Sequence, residues 1–138
     1  MTDIVFQVGF NDFRDGCSAE KIQEKTLDMQ IKYNEYFPNA RQHLTQLPPI
    51  DNSYNKVNLL IQKLAVFTQS NLISTKDFRD QRTGNIRSNV MEDRLHYSEE
   101  WGVKILSRAI MKSLYATANI ENNHLKTLRR MSENSNNA

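Results

Sequence analysis

A single cysteine among 138 residues, Cys17, leaves no intramolecular disulfide framework to expect. Cysteine and histidine do not stand together at zinc-binding spacing either, so neither a metal nor a cofactor is expected. Charge of one sign is also missing. Eighteen basic against sixteen acidic residues leave +2, too little to imply a nucleic-acid partner. No stretch approaches the roughly 20 apolar residues needed to cross a bilayer. The opening "MTDIVFQVGF" has no basic region and too short an apolar run for a signal peptide. The expectation is one soluble domain, cytoplasmic by default, with no membrane or nucleic-acid partner and no internal repeat.

What is present has the rhythm of alternating strands and helices. Ile4, Val5, Phe6 and Val8 precede Gly9 with little polar alternation, which predicts a buried, parallel strand ending in a loop. Helical spacing follows from Ser18, a natural N-cap, with Glu20 in the first turn and Ile22, Thr26, Met29 and Tyr33 on one face; Pro38 stops it. "ARQHLTQLPPI" reads as a second strand carrying Leu44 and Leu47, closed by Pro48 and Pro49. A helix with Val57, Leu60, Ile61 and Leu64 on one side comes next, then "NLISTKDF" as a third strand. "RDQRTGNIRSN" reads as an exposed loop. Val103, Leu106, Ala109, Ile110 and Leu114 mark a last helix, and "MSENSNNA" a disordered tail. That order predicts a layered α/β fold on a parallel sheet, with residues 1–117 as the domain and 118–138 as the helix end and tail.

In open parallel sheets the binding crevice lies beyond the carboxyl ends of the strands, so the residues just after each strand are the candidates. Asn11, after the first, is placed to donate to a developing oxyanion, or else to close an Asx-turn. Asp93 and His96 are three residues apart before the last helix. They read as a general base and the carboxylate that fixes its tautomer, or as a solvated pair. His43 reads as a strand residue and His124 as a surface residue near the tail. "HLKTLRR" reads as a solvated helix end.

Together these segments resemble the SGNH hydrolases, the GDSL esterases and lipases. "VFQVGFND" is similar to that family's third block, a strand followed by Gly-x-Asn-Asp, and "QHLTQLPP" to the strand after it. "EDRLHYSEEWGVKILSRAI" is similar to the fifth block, Asp-x-x-His followed by a glycine and the final helix. The resemblance runs over roughly residues 4 to 115. It implies a three-layer, flavodoxin-like sandwich and ester hydrolysis by Ser-His-Asp chemistry, with Asn11 in the oxyanion hole, His96 as base and Asp93 as its partner.

Two departures accompany it. Gly102 stands six residues after His96, where five is the commoner spacing. More consequentially, no Gly-Asp-Ser block is present, and none of the ten serines follows a strand in that way. The expectation is therefore an N-terminally incomplete copy without its nucleophile, or a non-catalytic interaction or relic domain on the same scaffold. An ester would be its substrate only if a missing N-terminal segment completed it. The uncovered strand at Ile4–Val8 would favour self-association.

Overall fold

The computed structural model describes residues 2–91, 97–98, 101–116 and 130–131. Asp93, His96, His124 and almost all of the expected tail lie outside the described residues.

The first strand, β1, covers Asp3–Phe6, two residues shorter than its apolar run. Gly9 then takes a left-handed conformation (φ 95°) and caps a one-turn helix, α1 (Phe10–Arg14), where a loop is expected. The apolar residues of that turn explain it. Phe10 and Phe13 lie against the ring of Tyr54 at 6.0 and 4.8 Å, so closing the helix partly covers both rings.

Helix α2 (Ala19–Tyr36) begins where the sequence predicts, with the Ser18 hydroxyl accepting the Lys21 N–H. It ends just ahead of Pro38, at the Phe37 C-cap. Its buried face is Ala19, Ile22, Thr26 and Gln30 rather than the expected line through Met29 and Tyr33. Thr26 sits inside an apolar stripe because its hydroxyl donates to the Ile22 carbonyl at 2.7 Å, satisfying it within the helix. Tyr33 lies at the rim, edge-on to Phe6 at 5.6 Å.

Strand β2 (Arg41–Thr45), helix α3 (Tyr54–Thr68) and strand β3 (Asn71–Ile73) complete two strand-helix-strand units, and a single 3-10 turn follows at Lys76–Phe78. The sheet has the order β1-β2-β3, parallel throughout, with Phe6 opposite Leu44 and His43 opposite Asn71. Two successive right-handed crossovers that advance in one direction place both helices on one face. There Phe6 and Leu44 meet Ile22, Val57, Ile61 and Leu64, all buried. Each such aliphatic side chain contributes about 1.5–3 kcal/mol on burial.

Alternation along β2 sends His43 to the opposite face, where it reaches Ser113 in a last helix, α4, observed over residues 102–116. A second apolar cluster of Phe78, Val90 and Leu106 lies beneath α4, and Ile86 joins it. The segment read as an exposed loop thus carries one inward residue, tied by a bridge from Arg79 to Ile86. Among the described residues β1 is hydrogen-bonded on one side only, to β2, so it forms an edge of the sheet. No helix among the described residues is long and apolar enough to cross a membrane.

Candidate functional site

The carboxyl ends of β1 and β2 open into a cavity of about 500 Å³. Asn11 and Gly9 line it from the turn after β1, Gln46, Leu47 and Pro48 from the turn after β2, and Tyr97 from the segment that precedes α4. Asn11 is exposed and rides on α1, whose attachment to Tyr54 fixes its place. Gly9 makes that approach feasible: a Cβ there would stand 2.8 Å from Cγ2 of Ile22.

The turn after β2 is held from below by one buried amide. Asn58 accepts the Leu47 N–H at 2.7 Å and donates back to the Leu47 carbonyl at 3.0 Å. Thr75 donates to the same carbonyl at 2.8 Å. A turn with two prolines has few amide hydrogens of its own, and these side chains do the work of a ladder partner. Periodicity alone assigns Asn58 no role; it lies on the apolar face of α3, and that displacement is the only signal of its use.

On the third wall, Tyr97 packs its ring against Phe78 at a centroid distance of 5.4 Å. Burial pushes its phenol up to about 12, partly offset by a hydrogen bond with the Gln7 side chain beyond β1. Ser98 locks the next turn. Its hydroxyl donates to the Asn89 carbonyl and receives the Gly102 N–H at 2.9 Å, while its own N–H donates to the Val90 carbonyl at 2.9 Å. Gly102 is the point of closest approach, since a Cβ would fall 1.9 Å from the Val90 oxygen.

Asn11 and the residue that follows His96 in sequence therefore face one cavity. Asp93 and His96 themselves lie outside the described residues.

A second polar constellation occupies the middle of the sheet. His43, fully buried on β2, has its Nε2 2.9 Å from Oδ1 of Asp3 and its Nδ1 2.9 Å from Oγ of Ser113. Arg41 grips the same Asp3 carboxylate through Nε and Nη2, both at 2.8 Å. Burial pushes the Asp3 carboxyl up, but the hydrogen bonds from Arg41 and His43 outweigh it and hold the group below the usual carboxylate value. Sequence reasoning places His43 in a strand without finding either partner, because Asp3 and Ser113 are distant in the chain and meet it only across the ladder and from the opposite layer.

Comparison of the sequence with protein-family models and with curated proteins finds no match. Among the described residues no group of three or more histidine, cysteine or acidic side chains is arranged to hold a metal ion.

Proposed function

We propose that this chain carries an SGNH-type ester hydrolase scaffold, with its substrate cleft in the cavity beyond β1 and β2. The observation that carries the reading is the meeting of Asn11 with Tyr97, the neighbour of His96, at the carboxyl end of a parallel sheet. The strand order and the helices on both faces support a three-layer, flavodoxin-like sandwich. Asn11 would stabilise the oxyanion, His96 would act as general base and Asp93 would orient it. The nucleophile has no candidate at this cleft in the sequence, so this chemistry is incomplete in the chain as it stands. The alternative is a non-catalytic interaction or relic domain that retains the same scaffold.

The test is complementation. A strand ending in Gly-Asp-Ser, fused ahead of a Ser113→Ala form of the chain so that it lies along β1, is expected to confer hydrolysis of short acyl esters. That turnover should vanish in His96→Ala and fall about 10²-fold in Asn11→Ala. A folded fusion without turnover, or one indifferent to both substitutions, overturns the hydrolase reading.

A further inference from the structure

We propose that Ser113, His43 and Asp3 form a second nucleophilic site, which takes small carboxylic esters in the cavity between β3 and α4. It lies away from the cleft beyond the strands and does not depend on the reading of that cleft.

The argument begins with proton placement. Arg41 only donates, and both of its bonds to Asp3 require an ionised acceptor, so the carboxylate accepts from His43 as well. Nε2 of His43 therefore carries the hydrogen. In the neutral imidazole Nδ1 is then the lone-pair nitrogen, and at 2.9 Å it is the acceptor for the Ser113 hydroxyl. A hydroxyl hydrogen-bonded to a base whose other nitrogen is held by a carboxylate is the arrangement that activates a serine. Here the two ring nitrogens exchange the roles they have in the serine proteases, with Nδ1 facing the nucleophile.

Access comes from the other side of Ser113. The residue is half-buried and lines a cavity of about 310 Å³, together with Asn71, Ser74, Lys76 and Lys112. Asn71 is the ladder partner of His43, so its side chain leaves the sheet on the same face. Asn71 and Lys112 line the same cavity as Ser113, with Lys76 and Asp77 beside them, and are the residues this site would use to donate to an oxyanion. The volume suits a short acyl group rather than a long chain.

In the forward step the Ser113 oxygen bonds to the ester carbonyl carbon and its proton passes to Nδ1 of His43. The bond from that carbon to the alkoxy oxygen then breaks, and the departing oxygen takes the proton as alcohol. Water reverses the sequence: its proton goes to Nδ1, its oxygen to the acyl carbon, and the carboxylic acid leaves as Ser113 regains its hydrogen.

A fluorophosphonate probe tests this on the full chain, since attack by Ser113 forms a P–O bond with loss of fluoride. Peptide mapping is expected to find the adduct on Ser113, formed about 10²-fold faster in the folded protein than in urea. In a Ser113→Cys variant, iodoacetamide should alkylate the new thiol at least about tenfold faster than Cys17, the internal reference. An adduct on another serine, no adduct on a chain shown folded by circular dichroism, or equal rates in buffer and in urea overturns the proposal. So does a thiol at position 113 that reacts no faster than Cys17.

Discussion

Arg41 and Asp3 stand directly opposite each other in the β1–β2 ladder and are joined by two parallel hydrogen bonds of 2.8 Å. The pairing is bidentate, and little of either side chain is exposed, 17% for Arg41 and 23% for Asp3. His43 adds a third donor to the same carboxylate. This edge of the sheet is thus held by charge as well as by backbone bonds.

Replacing that carboxylate is expected to cost about 2 kcal/mol at neutral pH, the usual worth of charge-assisted bonds of this kind. The folded Asp3 binds its proton less readily than the unfolded one, so its contribution is present above the ordinary value of 3.8 and is lost as pH falls through the lowered value. Urea melts of wild type and Asp3→Asn at pH 7 and pH 3 check this. The gap between them should narrow at the lower pH, and a gap that widens there contradicts the assignment.

Tyr97 makes the opposite prediction at high pH. With its phenol pushed up to about 12, the folded state holds a proton that the unfolded chain releases near 10. Stability should therefore fall as pH rises from 10 toward 12. A spectrophotometric titration should show a late-titrating tyrosine that Tyr97→Phe removes.

Gly102 is expected to be irreplaceable on steric grounds. Alanine there collides with the Val90 carbonyl, a backbone atom that cannot rotate away, and the destabilisation should reach about 3 kcal/mol. Gly84 supplies the control. It has φ 74° but open space around it, so Gly84→Ala should cost only about 1–2 kcal/mol. Thermal melts that rank the two in the other order would show that the helix start shifts easily.

The free side of β1 leads to a prediction about association. Among the described residues, the backbone groups of Asp3 and Val5 point away from β2 and have no ladder partner, with neither proline nor lysine in the strand to discourage a second one. Two copies related by a two-fold axis would pair their β1 strands antiparallel. Sedimentation over a concentration series is expected to show dimerisation, together with amide exchange at Asp3 and Val5 that slows as the concentration rises. A monomer throughout the series refutes it.

Any hydrolysis of short esters by the chain alone should be the same in His96→Ala, because no Gly-Asp-Ser stands in the sequence to supply that histidine with a nucleophile. Turnover lost in that variant would place a nucleophile of this chain within reach of His96.

Local chemistry settled most of the elements of this chain. Ser18 capping α2, Pro38 ending it, the proline pair closing β2 and the apolar face of α3 are effects of neighbours in sequence, and they act wherever the chain lies. The carboxyl-end position of Asn11 follows from the same logic, since parallel strands with right-handed crossovers leave the turns after β1 and β2 side by side. Other features required the third dimension. Phe10 and Phe13 form a helical turn because Tyr54, some forty residues away, gives them a surface to bury against. Gln30 replaces Met29 on the inner face of α2 because Gln42 and Ser70 offer it hydrogen bonds at 3.1 and 2.9 Å. Asp3, His43 and Ser113 meet because the pleat turns alternate β2 residues to opposite layers and α4 covers the layer that His43 enters. Periodicity records which face a residue takes, but not what waits on that face, because the partner is brought there by the packing of the whole chain.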